Sequence, residues 1–207
     1  MGDIMELNKV REKMDNRPVG AIGKRKRFGV LIPLVEIDGE IHMLFEMRSS
    51  KIKTQPGDVC FPGGALEDGE TIVQCALRET WEEIGIEPSE IEVLGEFDVQ
   101  HEPERLSLHT VVGILKEESL NHIKINPAEV AEVFTVPVRF FMETEPEIYM
   151  TDFVQTAKDF PYEKYGIRRD YKWSEFKREV PVYVYEDHVV WGMTCRILRW
   201  FIQEMNK

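Results

Sequence analysis

The stretch from Gly64 to Ile86, GALEDGETIVQCALRETWEEIGI, constrains this chain more than any other. Its end signals predict a helix from about Thr71 to Ile84, closed by Gly85 and then Pro88. At about 100° per residue, with Ile72 at the origin, Glu82 falls near ~280°, Glu79 near ~340° and Glu83 near ~20°. Three carboxylates therefore share an arc of about 100°. Val73, Ala76, Leu77, Thr80 and Ile84 form a core-facing stripe beside them. Arg78 stands one turn before Glu82 and can pair with it. Like charges at this spacing each cost about 0.2–0.5 kcal/mol even on an exposed helix, and an ordinary helix alternates the signs. A divalent cation removes the repulsion, and the octahedral shell of Mg²⁺ accepts carboxylate, water and phosphate oxygens. The cluster is better explained as a metal site than as a solvated face.

The charge distribution sharpens that reading. The chain has 207 residues and a net charge of −12. Residues 66–104 carry thirteen acidic side chains and one basic one, Arg78. A nucleic-acid groove needs the opposite sign, so no nucleic-acid partner is expected. No apolar run approaches the ~18 residues of a membrane span, and no membrane association is expected. The start, Met1 to Glu6, has an early acid and no apolar segment, so no secretory signal is expected. Glu6 also stands where the myristoylation pattern requires Ser or Thr. Cys60, Cys75 and Cys195 fit no zinc or redox spacing and read as three reduced thiols of a cytoplasmic chain.

Along the chain, residues 5–14 predict a short helix, broken between Pro18 and Gly23. Residues 1–27 form a basic lead-in ending in Lys24-Arg25-Lys26-Arg27, and 28–207 a single domain. Phe28–Val35 predicts a buried strand, Asp38-Gly39 a turn, and Ile41–Met47 the return strand. Residues 49–58 read as polar loop, Val59–Phe61 as a short strand, and Pro62-Gly63-Gly64 as an irregular turn. Strands are expected at Ile91–Val99 and Leu106–Leu115, and a turn or short helix leading into a strand at Pro127–Val136. Arg139–Glu143 reads as a helical stub, Val182–Tyr185 with His188–Trp191 as a hairpin, and Thr194–Met205 as a final amphipathic helix. Residues 144–180 are aromatic and charged and match no simple period. The order of elements predicts an α+β layered domain.

Gly64, five residues, Glu70, seven residues, then Arg78-Glu79-Thr80-Trp81-Glu82-Glu83-Ile84-Gly85-Ile86 resembles the Nudix box, GX5EX7REUXEEXGU with U bulky and aliphatic. All seven fixed positions match, and the one departure is Thr80 at an aliphatic position. The resemblance implies the Nudix fold, a mixed β-sheet sandwiched between helices (α/β/α), with residues 144–180 as an aromatic-rich insertion before the C-terminal helix. It also implies hydrolysis of a nucleoside diphosphate linked to another group, using Mg²⁺ or Mn²⁺ and an activated water. By position, Glu79, Glu82 and Glu83 would hold metal, and Glu70 would be a further ligand or act in the outer part of the site. Arg78 would orient a glutamate. Glu79, Arg78 and Glu82 would carry the catalytic step, with Glu79 the first choice of base. Glu129 matches a glutamate that supplies a further ligand from a distant loop, and Glu132 is the competing assignment.

The segment before the box, LFEMRSSKIKTQPGDVCFPGG, resembles the motif LLTXRSX3RX3GX3FPGG of the coenzyme A diphosphatase branch. Leu44, Arg48, Ser49, Gly57, Phe61, Pro62, Gly63 and Gly64 match in register. Phe45 and Glu46 replace the second Leu and the Thr, and Lys53 replaces the second Arg, keeping charge but losing the bidentate fork. Val190-Trp191-Gly192-Met193-Thr194 is also similar to that branch. The resemblance implies substrate binding by Arg48, Lys53, Phe61, Gly63 and Gly64. Products would be 4′-phosphopantetheine and adenosine 3′,5′-bisphosphate. Two alternatives stand beside this one: another nucleoside diphosphate derivative such as ADP-ribose, or a Nudix-fold nucleotide-binding regulator without turnover. The aromatic residues of 144–180 would suit base stacking, a pantetheine contact, a lid or a homodimer contact.

Overall fold

The computed structural model describes residues 7–18, 23, 25–103 and 106–207. The expected break at 19–22 and Lys24 of the basic run lie outside the described residues. Leu7–Met14 forms helix α1, exposed along its length. The basic run leads straight into strand β1, Lys26–Ile37, whose first residues are exposed.

β1 and β2, Glu40–Arg48, form a hairpin about Asp38 (φ 51°) and Gly39 (φ 80°). Two successive positive φ values give the mirror-image turn that matches strand twist, which Asp-Gly adopts readily. The two strands pair only over their near ends, Leu34–Ile37 with Glu40–Met43, and then diverge. Into the gap fit β3, Val59–Cys60, on β2 and β4, Gly63–Ala65, on β1. The expected irregular turn at Pro62–Gly64 is therefore partly strand, and the strand expected to reach Phe61 stops at Cys60. Leu31 N–H donates to the Pro62 carbonyl at 2.9 Å and secures the insert.

Helix α2 spans Ile72–Ile84. β5, Ile91–Glu102, pairs antiparallel with β6, Leu106–Leu115, and β6 lies parallel to β1 from Lys26 to Val35. β7, Val130–Pro137, closes the other side against β2, completing a mixed seven-stranded sheet. Helix α3, Val138–Glu143, follows. β8 (Glu147–Val154), β9 (Glu175–Tyr185) and β10 (His188–Trp191) form a separate antiparallel sheet, and α4 spans Gly192–Met205.

Strand alternation sorts the core. Leu31, Val35 and Leu44 point to one face and pack with Ile72, Ala76 and Ile84 of α2. Val30, Ile32, Met43 and Phe45 point to the other and pack with Leu198, Phe201 and Ile202 of α4. Burial on both faces is why β1 reads as a continuous apolar run rather than an alternating one. Helices thus cover both faces of a mixed sheet, the α/β/α arrangement expected.

Residues 144–180 are not a self-contained insertion. They hold β8 and the first half of β9, which continues into the expected hairpin. In the connecting loop, Phe160 packs on Tyr162 and Trp173, and Trp173 Nε1 donates to Tyr162 Oη at 2.7 Å. These rings contact each other. Glu102, 4% exposed at the end of β5, accepts from Arg178 of β9 and Arg196 of α4, and from Gln100 Nε2 at 2.8 Å.

Candidate active site

The site is built on α2. Thr71 Oγ1 accepts from the Gln74 N–H and Gln74 Oε1 accepts from the Thr71 N–H, a reciprocal cap that fixes the first turn. Gly85, at φ 75°, closes the last turn with its N–H on the Trp81 carbonyl. The helix lies against β1 at Gly29, where a Cβ would stand 2.8 Å from the Ile72 carbonyl oxygen. Only glycine allows that approach. Thr80 is fully buried on the core side as expected, its hydroxyl donating to the Ala76 carbonyl at 2.7 Å. The polar replacement therefore leaves no unpaired group.

Arg78 organises the acids. Its Nε and Nη2 grip Glu70 at 2.8 and 3.1 Å, while Nη1 reaches Glu79 at 2.7 Å and Glu82 at 3.2 Å. Nη2 also donates to the Ala65 carbonyl, tying the helix to β4. That bidentate hold keeps the Glu70 carboxyl below its ordinary range. Glu70 is thereby placed as the partner of Arg78.

Glu79 and Glu83 turn inward. Glu83 is 5% exposed and accepts the Gly63 N–H at 2.9 Å. Burial, then the nearby Glu46 charge, pushes its carboxyl well up. Burial also raises Glu79, against the pull of Arg78. A Cβ on Gly64 would stand 2.2 Å from the Glu79 carboxyl carbon, so glycine there gives Glu79 its place.

From the distant loop, Glu129 acts electrostatically on Glu79 and Glu46, and its carboxylate accepts from Asn126 Nδ2 at 2.8 Å. Asn126 N–H in turn caps the Glu83 carbonyl at 2.8 Å. Trp81, Glu82, Gly85, Lys124, Asn126 and Glu129 line one groove. Glu132 instead pairs with His188 at 3.1 Å, away from α2. Of the two, Glu129 lines the groove with Glu82.

Arg48 acts electrostatically on Glu46 and Glu83, and its Nε donates to the Thr54 carbonyl. Lys53 is exposed in the loop after it. Phe61 does not line the groove: it is 4% exposed and stacks on Phe45, ring centroids 4.9 Å apart, in the α4-side core. As a substrate contact it is corrected to a framework residue that anchors the Pro62-Gly63 turn.

The sequence reading missed Glu46, fully buried on β2 with Oε2 unpaired. Its signal was available: an acid inside the apolar run Met43–Met47. Among the described residues, no three acidic, histidine or cysteine side chains converge closely enough to hold one ion. Glu70, Glu79 and Glu82 are instead paired with Arg78. The donor set nonetheless fits a hard dication: oxygen donors in excess, and a buried carboxylate oxygen without a partner.

The NUDIX domain family model matches residues 25–153. Nudix hydrolase 3 of Caenorhabditis elegans is 40% identical over 53% of this chain and 46% of its own length. The peroxisomal coenzyme A diphosphatase NUDT7 of Mus musculus is 37% identical over 65% of this chain and 56% of its own. The mitochondrial coenzyme A diphosphatase NUDT8 of Homo sapiens is 31% identical over 84% of this chain and 67% of its own. The chain spans about half the length of several curated relatives it matches. Among solved structures, the Nudix hydrolase RenU of M. smegmatis aligns with a TM-score of 0.49 at 21% identity, over 59% of this chain and 76% of that one. No helix among the described residues is long and apolar enough to cross a membrane. A domain match over most of the chain, together with an intact glutamate set on one helix, identifies this protein as a member of the Nudix family.

Proposed function

We propose that this protein hydrolyses the diphosphate of coenzyme A or a derivative, releasing 4′-phosphopantetheine and adenosine 3′,5′-bisphosphate. The observation that carries the reading is the α2 carboxylate set with Arg48 acting on it electrostatically, in a chain similar to two proteins named coenzyme A diphosphatases.

Glu79, Glu82, Glu83 and Glu129 would hold Mg²⁺ or Mn²⁺, which would polarise the phosphoryl oxygens and acidify a water. Glu79 would take the proton from that water. Arg78 positions Glu79 through its 2.7 Å contact. Arg48 and Lys53 offer positive charge to a diphosphate or a 3′-phosphate. Gly64 gives the Glu79 carboxylate its place, and Gly63 lets the turn pass close to β1. The three separate thiols suit a reducing compartment, with the cytoplasm as the expected one. The exposed β8 edge, with Ile148, Tyr149 and Met150 open, is where a second copy would pair.

The test is a substrate panel with Mg²⁺ and with Mn²⁺, run in ¹⁸O water. Adenosine 3′,5′-bisphosphate should form from coenzyme A only when metal is present, and the label shows which phosphorus is attacked. Faster cleavage of ADP-ribose would replace the substrate, and binding without turnover would replace the enzyme with a regulator.

A further inference from the structure

We propose that Glu46 is an additional carboxylate ligand for the divalent cation, supplied by β2 from across the sheet. The inference rests on the reading of α2 as a metal site and adds a residue that the box does not contain.

Glu46 lies on β2 opposite Cys60 of β3. It is fully buried, which is rare for a glutamate without a cationic partner. Its Oε1 accepts from the Cys60 thiol, a weak donor, at 3.3 Å. Its Oε2 is buried without a hydrogen-bond partner. No described lysine or arginine forms an ion pair with it: the nearest cationic influence is Arg48, whose Nε is turned to Thr54. A carboxylate oxygen in that state is costly to keep ionised.

Strand alternation sends Glu46 to the same side as Leu44, the face α2 covers. There it meets more negative charge: Glu129 and Glu79 act on it, and it acts on Glu83. Burying one acid among three others is costly unless a cation completes the set. The resembling motif places Thr at this position. Glu46 is therefore a feature of this chain rather than of the motif, and the free oxygen is the atom offered to the ion.

The experiment titrates MnCl₂ into the full-length protein and follows free Mn²⁺ by electron paramagnetic resonance. Wild type, Glu46→Gln and Glu46→Thr are compared, with thermal unfolding recorded in EDTA. Both variants should bind Mn²⁺ about 10-fold more weakly. Both should also unfold in EDTA at or above the wild-type temperature, because an uncompensated buried charge is gone. Affinities within twofold of wild type in both variants would overturn the proposal and leave the α2 site standing. A wild-type protein with no saturable Mn²⁺ binding would overturn both together.

Discussion

The two faces of the central sheet are built on opposite rules. On the α4 face, rings fill the space: Phe45 lies within 6 Å of Phe61, Phe134 and Phe141, and Phe97 meets Phe201 edge-on. On the α2 face, glycines bring the helix close, and the acids Glu46 and Glu83 are buried beside it. The first face contributes cohesion through buried aromatic area. The second buries Glu46 and Glu83 in a low-dielectric seam, where an ionised carboxylate costs stability. One sheet carries both, so stability and chemistry can be perturbed from different sides.

The largest separation should come from the aromatic face. Phe201→Ala should cost about 3–5 kcal/mol in urea unfolding. The hydrolysis rate per folded molecule should stay near wild type, and a rate falling in step with stability would erase the contrast. On the other face, Glu83→Gln should lower kcat/KM for coenzyme A by about 10²-fold, equal to about 2.7 kcal/mol. Its unfolding temperature in EDTA should not fall. Gly64→Ala should cost about 1–3 kcal/mol, since the new methyl group must displace the Glu79 carboxylate. Its activity should drop as well, and a crystal structure with Glu79 unmoved would refute the steric account.

The smallest effect is on pH. Burial raises the Glu46 and Glu83 carboxyls above the unfolded value of 4.5. The folded chain therefore binds more protons than the unfolded chain above that pH, and stability must decline as pH rises. In EDTA the unfolding temperature should fall from pH 5 upward, by about 2–4 °C for each kcal/mol. Saturating Mg²⁺ should flatten the slope, and an unchanged slope would detach the buried acids from the ion.

Much of this was legible because the signals were local. Thr71, Gln74 and Gly85 fix the ends of α2 through their own backbone contacts. Phe28–Val35 is a strand on any reading, being buried on both sides. What escaped was decided by distant partners. Gly63–Ala65 has no strand propensity and is extended because β1 pairs with it. β8 exposes nearly all its residues, so no alternation marks it. Phe61 sits within a binding motif yet packs into the opposite core, since the turn beyond it carries the backbone toward α2 and the ring away. The carboxylate arc was readable from the helical period and Glu129 from the resemblance, whereas the burial of Glu46 beside them required the sheet.

Glu102 is clasped by Arg178 from one element and Arg196 from another, while Arg25 grips its carbonyl. The outer hairpin is thus riveted at mid-ladder, where Arg178 faces Thr151. A protease nick in the loop between Val154 and Glu175 would leave two pieces that co-migrate on a native gel, since the β8–β9 ladder and the rivet both survive the cut.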